Sequence, residues 1–156
     1  MFIFTAKLNK KKAVLSLILL AVILCAVIVL VGRHDRAAAN ATADLLAKTN
    51  EQRVAYLESF GWEVETEPVE TQGIVIPRQF PAVYEEYNKI QKDQGFDLED
   101  YGGLEATRYT YKVLNYPDYN GDVFADLIIY KNCIIAADIH SITLDGFIHG
   151  VEFPEQ

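Results

Sequence analysis

No acidic residue occurs before Asp35, and the 156 residues include only two cysteines and three histidines. Cys25 lies inside a long apolar run and Cys133 far downstream, so the two cannot pair, and an internal disulfide is excluded. A lone Cys133 reads as packing. Three histidines are no enrichment that would announce a metal protein. The absence of early acidic residues makes the charge lopsided. Lys7, Lys10, Lys11 and Lys12 precede the apolar run, while all 22 acidic residues follow it. Ten basic residues remain on that side, which leaves −12 after the run against −8 for the whole chain. A segment so acidic repels nucleic acid and anionic lipid headgroups and keeps a surface soluble.

What the sequence has in plenty is apolar side chains, 51% of the total, and part of that sits in one block. Ala13 to Gly32 carries no charge, and fourteen of its twenty residues are Leu, Ile or Val. A helix of that length spans roughly 30 Å, the hydrocarbon thickness. Each Leu, Ile or Val favours insertion by roughly 0.3–0.6 kcal/mol near the bilayer centre. Residues 13–32 are therefore expected to cross the lipid bilayer. The lysine-rich 1–12 is expected in the cytoplasm, and the acidic remainder on the other side, by the positive-inside rule. Cleavage in the Ala37–Ala41 region is disfavoured, because the run is long and Arg33–Arg36 intervenes. A lipoprotein signal needs a small residue where Leu24 stands before Cys25.

Residues 33–48 read as a tether and 49–156 as an extracytoplasmic domain. Thr49 and Gln52 form a capping-box pattern, and Val54, Leu57 and Phe60 follow at helical spacing before Gly61. The expected helix covers about 50–60. Trp62–Glu67 alternates like a half-buried strand, and Gly73–Pro77 reads as a second one. Pro81 suits the first turn of a helix that Gly95 ends. Leu104–Tyr116, Val123–Tyr130 and Cys133–Ile142 complete the strands, with turns at Asp118–Gly121 and Lys131–Asn132. The order α-β-β-α-β-β-β predicts an α+β fold of two layers, an antiparallel sheet of about five strands with both helices on one face. The opposite face would stay open and apolar, ready for an envelope protein partner.

Turn parity sorts the side chains of the last hairpin. With Tyr130 opposite Cys133, one face holds Val123, Ala125, Leu127 and Ile129 with Ile134, Ala136, Asp138 and His140. The other holds Phe124, Asp126, Ile128 and Tyr130 with Cys133, Ile135, Ala137 and Ile139. A bulge would shift that parity.

The best candidate cluster is Asp138 and His140, alternate residues on one face, with Asp145 and His149 returning from the next loop. Two imidazoles and one or two carboxylates suit a divalent transition metal. The bland alternative is a strand-end pair bonded to itself or to backbone. Ser141 or Cys133 with a histidine would be needed for a hydrolase, but Ser141 and His140 point to opposite faces and no nucleophile elbow is present. The tyrosines at 84, 87, 101, 109, 111, 116, 119 and 130 suit core edges or an interface. Glu63, Glu65, Glu67 and Glu70 read as a solvated strip. No catalytic, cofactor-binding or metal-ligating residue is assigned on these grounds.

Several runs resemble a family of domains of unknown function: Gln52 to Val64, Tyr87-Asn88 through Leu98, Arg108 to Tyr111, Asn115-Tyr116-Pro117 and Leu144 to Phe147. The resemblance spans about Thr49 to Gly150. It implies a single-pass anchored protein of a Gram-positive cell envelope and carries no activity or site residue with it. That family's last hairpin often turns on a glycine, from which Lys131-Asn132 departs. The functional expectation is a non-enzymatic interaction or sensing module held at the membrane. The alternative is an envelope enzyme, metal-dependent, using Asp138, His140 and His149.

Overall fold

A computed structural model describes residues 45–154. The basic tail, the apolar segment 13–32 and the tether as far as residue 44 lie outside the described residues, and the expected membrane span lies there with them. Among the described residues, no helix is long and apolar enough to cross a membrane.

Helix α1 is Asn50–Ser59 and starts on the expected capping box. The Thr49 hydroxyl accepts from the Gln52 N–H, and the Gln52 side chain accepts from the Thr49 N–H at 3.1 Å. Two of the donors that a helix leaves unpaired at its start are met in this way. Strand β1, Glu70–Val75, begins earlier than expected. Helix α2 is Ala82–Asp93, with Pro81 at its N-cap, and Gly95 adopts φ +86° just beyond its end. A short 3₁₀ turn, Leu98–Tyr101, leads to β2 (Glu105–Val113), β3 (Val123–Tyr130), β4 (Cys133–Ser141) and β5 (Ile148–His149). The five strands form one antiparallel sheet in chain order.

The strand count agrees with expectation, but its membership does not. Trp62–Glu67 makes only a single bridge, Val64 to Val113. Pro68 interrupts the run, and the Trp62 indole is buried, donating to the Val151 carbonyl at 2.6 Å. The fifth strand is Ile148–His149, paired with Ile139 and His140. The fold also starts before Thr49: Leu46 bridges to Cys133, and Ala47 is fully buried. The last residues read as tether thus belong to the sheet.

The two helices lie on opposite faces, which corrects the expectation of a single helical layer. Tyr56 and Leu57 of α1 pack with Tyr111, Ala125, Leu127 and Ile139. Tyr87 of α2 packs with the second cluster, Ile76, Leu98, Ala106, Ile128, Ile135 and Ala136. Both sheet faces are apolar at their centre, so each needs a cover, and burial of apolar area drives one helix to each. The opposite face is accordingly not left open as a flat surface.

The β3–β4 hairpin turns on Lys131 and Asn132, both with positive φ (48° and 68°), the conformation of a two-residue turn that suits strand twist. Tyr130 pairs with Cys133 as expected. Ile129 then pairs with Ile134, but Ile128 pairs with Ala136, so Ile135 is an extra residue in β4. That bulge reverses the expected parity from Ala136 onward. Ala137 and Ile139 join the α1 face, and Asp138 and His140 pass to the α2 face.

On the side away from β3, one stretch of β4 has no neighbouring strand. There the Gln91 side chain accepts from the Ala137 N–H at 2.9 Å, and the Gln94 side chain donates to the Ala137 carbonyl at 3.0 Å. Gln94 also accepts from the Val151 N–H at 2.7 Å. Two glutamines of the α2 terminus thus replace a neighbouring strand.

Candidate functional site

The bulge gathers three acid–base side chains on one patch of sheet. Asp126 of β3 and Asp138 of β4 are direct cross-strand partners, and His140 follows Asp138 by two residues on the same face. One donor atom from each lies within 4.8 Å of the others. Asp138 and Asp126 are both buried, at 2% and 6% exposure.

Each carboxylate has its own donors. The Tyr87 hydroxyl, brought by α2, donates to Asp138 Oδ2 at 2.7 Å, and His140 Nδ1 stands 2.9 Å from Asp138 Oδ1. Both oxygens of Asp138 are therefore engaged. The Thr110 hydroxyl of β2 donates to Asp126 Oδ1. Asp126 Oδ2 has only Arg108 Nε near it, at 3.7 Å, and that Nε is buried with no hydrogen-bond partner. Arg108 is drawn the other way, donating to Gln72 Oε1 at 2.8 Å and to Glu70 Oε2 at 3.4 Å.

The electrostatics follow from burial and from the facing charges. Burial pushes the Asp126 carboxyl above its usual range, the Asp138 charge adds to this, and the Thr110 hydrogen bond opposes it. The hydrogen bond to Asp138 raises His140, against the cost of its own burial. Burial, then the Asp138 charge, lifts the Tyr87 hydroxyl well above its ordinary value, so it remains a donor.

Above this floor lies a pocket of about 680 Å³. Its walls are apolar: Ile74 from β1, Val83 and Tyr84 from α2, Leu98 from the 3₁₀ turn, and Leu144 and Ile148 from the final loop and β5. Asp126, Asp138, His140 and Arg108 supply its charged lining. The rim is exposed, with Val83 and Leu144 turned largely to solvent. Volume and lining are those of a small-molecule site, an apolar cavity with a few convergent polar groups.

The sequence profile of a family described as a domain of unknown function, DUF4830, matches residues 56–139, more than half of the chain. The chain belongs to the DUF4830 family. The matched stretch of the DUF4830 domain contains Tyr87, Arg108, Thr110, Asp126 and Asp138, and ends one residue before His140. No curated protein and no solved structure matches the chain.

Of the residues singled out in the sequence, the DUF4830 fold unites Asp138 and His140 and separates the others. His149 is on the α1 side of β5, with Nε2 3.1 Å from the Tyr116 hydroxyl and Nδ1 2.6 Å from the Gly150 carbonyl. It packs on the Phe147 ring. Asp145 is exposed in the final loop. Ser141 Oγ accepts from the Phe147 N–H at 3.1 Å, a loop-closing role. Cys133 is half-buried at the opposite end of β4. Of the glutamate strip, Glu70 reaches the Arg108 side chain. The residues that the sequence did not point to are Asp126, Arg108, Thr110 and Tyr87. Parity assigned Asp126 to the other face, and only the bulge reunites it with Asp138.

As a metal site the trio would supply one ligand atom each from Asp126, Asp138 and His140. Both Asp138 oxygens already accept a hydrogen bond, while Asp126 Oδ2 and one imidazole nitrogen have none. The rest of the lining adds hydroxyl side chains, Tyr84, Ser141 and Thr143 among them, and no further carboxylate, imidazole or thiolate.

Proposed function

We propose that this DUF4830 protein is a ligand-binding module of the cell envelope, anchored through residues 13–32 with its acidic domain outside the cytoplasm. The observation that carries the binding role is the α2-face pocket of about 680 Å³, apolar in its walls and charged at its floor. Anchoring is supported by the apolar run and the lysines before it. The resemblance to single-pass proteins of Gram-positive envelopes supports the same placement. A pocket with buried charges calls for a small molecule ahead of a protein partner, and a net −12 after the apolar run argues against nucleic acid.

Two experiments test this. Membrane fractionation of the full chain, followed by protease treatment of intact cells, should find the domain membrane-bound and accessible from outside. A shortened soluble form as the main species ends the anchoring claim. Mass spectrometry of small molecules that co-purify with the full chain should find a species lost on Ile128→Trp, which fills the pocket. No enriched species removes the binding role.

An envelope enzyme is the second reading. A buried carboxylate fixing the His140 imidazole from within a pocket favours it, since such a pair can serve as a general base. It must do without His149. Hydrolytic activity towards envelope extracts that vanishes on His140→Ala would support this reading, and an inactive wild-type chain would end it.

A further inference from the structure

We infer that the pocket takes a small organic cation, an ammonium group on an apolar body, with the ammonium seated at Asp126 Oδ2. The inference rests on the binding role proposed above and adds the chemistry of the ligand.

Charge comes first. The ionisable groups gathered here are Glu70 from β1, Arg108 from β2, Asp126 from β3, and Asp138 and His140 from β4, with the Tyr87 hydroxyl arriving from α2. Within the pocket two carboxylates, Asp126 and Asp138, face one guanidinium and one imidazole, and the exposed Glu70 draws the guanidinium from outside it. With the His140 imidazole neutral, the two buried carboxylates exceed the one guanidinium by one negative charge. Arg108 cannot offset that charge, because the one guanidinium is shared between Glu70 at 3.4 Å and Asp126 at 3.7 Å. Asp126 and Asp138 stand directly opposite each other in a poorly solvated place, where like charges repel most.

Hydrogen bonding then fixes the position. Of the four oxygens in this carboxylate pair, three accept hydrogen bonds from Thr110, Tyr87 and His140. Asp126 Oδ2 is the one of the four that accepts no hydrogen bond. The Asp126 side chain is 9% exposed, and Oδ2, unpartnered but not sealed off, opens to the pocket, where a charge-assisted N–H···O bond is strong.

The walls decide between kinds of cation. Val83, Leu144 and Ile148 offer apolar surface to the body of a ligand, and the polar side chains of the wall, Tyr84, Ser141 and Thr143, carry neutral hydroxyls, poor ligands for a metal ion. An anionic amphiphile would place its charge against Asp126 and Asp138. An organic ammonium satisfies floor and walls together.

Benzylammonium, benzyl alcohol and benzoate share one apolar body and differ in charge. Calorimetric titration of each into the full chain, held in nanodiscs of zwitterionic lipid, tests the inference. Benzylammonium is expected to bind at least tenfold more tightly than either relative, and Asp126→Asn to erase that preference. Asn keeps an oxygen for Thr110, and a cooperative melt checks that the variant folds. Should it not fold, the ranking of the three probes on the unaltered chain decides. Equal binding of the alcohol overturns the cation while leaving the pocket as a binding site. Preference for benzoate, or no binding of any probe, also overturns it. So does stoichiometric uptake of Zn²⁺ or Mn²⁺ that blocks benzylammonium and is lost on His140→Ala, which would give the floor to a metal. The co-purification experiment reports separately on the binding role, since a neutral or anionic ligand found there would retain that role and reject the cation.

Discussion

Asp126 stands directly across the β3–β4 ladder from Asp138, on the same face, and both are buried. Like charges in that position destabilise a sheet by up to about 1 kcal/mol. Thr110 bonds only Oδ1 of Asp126, and an amide oxygen can also accept that bond, though more weakly. Asp126→Asn is therefore expected to stabilise the domain at pH 7 by about 1 kcal/mol. The gain should shrink at acidic pH, as the Asp126 carboxyl, raised by burial and by the Asp138 charge, takes up its proton. Urea denaturation of both proteins at neutral and at acidic pH measures it, and a destabilised variant at pH 7 would contradict the account.

The same groups set a pH profile. The folded Asp126 holds its proton to higher pH than the unfolded chain does, so its linkage lowers stability as pH rises above about 4. His140 is raised by Asp138, so its contribution is complete below about pH 6.5 and is lost as pH rises through the folded value. Both terms slope downward with pH. Stability should fall between mildly acidic and mildly alkaline pH, and His140→Ala should flatten the neutral part of the curve. A stability that climbs through this window in the unaltered chain is the contrary result.

Tyr87 ties α2 to the sheet through one hydrogen bond to a buried carboxylate, 2.7 Å long. Bonds to charged groups contribute about 1.5–3 kcal/mol. Tyr87→Phe keeps the ring against Ile128 and Ala136 and removes only the hydroxyl. A loss of about 2 kcal/mol is expected in equilibrium unfolding, and a change under about 0.5 kcal/mol would mean that the bond carries little.

Lys131 holds φ +48° in the hairpin turn, where a side chain is strained and glycine is not. Lys131→Gly trades that strain for a floppier unfolded chain. Replacing the pair by Asn-Gly, the sequence best suited to this turn, should stabilise by about 0.5–1 kcal/mol. Thermal unfolding checks it, and a lower melting temperature would show that Lys131 makes contacts worth more than the strain.

Local signals were legible wherever the chemistry was local. Thr49 and Gln52 marked the start of α1, Gly95 the end of α2, and Lys131-Asn132 the hairpin. Tertiary choices were not. Ile134, Ile135 and Ala136 are all apolar, and each face of the sheet accepts them, so nothing in their pattern betrays the bulge. One unreadable extra residue then moved Asp138 and His140 to the wrong side and hid Asp126 from them. Trp62–Glu67 alternates like a strand, yet its alternation reflects one buried indole and several solvated glutamates. Leu45–Ala47 carry no pattern at all, and their place is set by the β4 backbone they bond to. The distribution of helices failed for a related reason: both faces of β3 and β4 are apolar, which the sequence displays, but the number of covers each face requires depends on how the strands are ordered.

The glutamine pair on Ala137 has a further effect, on how copies of this domain can associate. A sheet with two free edges can be lengthened without limit. Here Gln91 and Gln94 occupy the backbone of β4 where no strand lies, and β5 beyond it is only two residues long, too short a template. At the other margin β1 has no outer neighbour among the described strands. The sheet thus has a valence of one. Joining two molecules β1 to β1 would leave neither of the described sheets an edge on which a third can grow, so edge pairing would stop at two copies rather than run on into fibres.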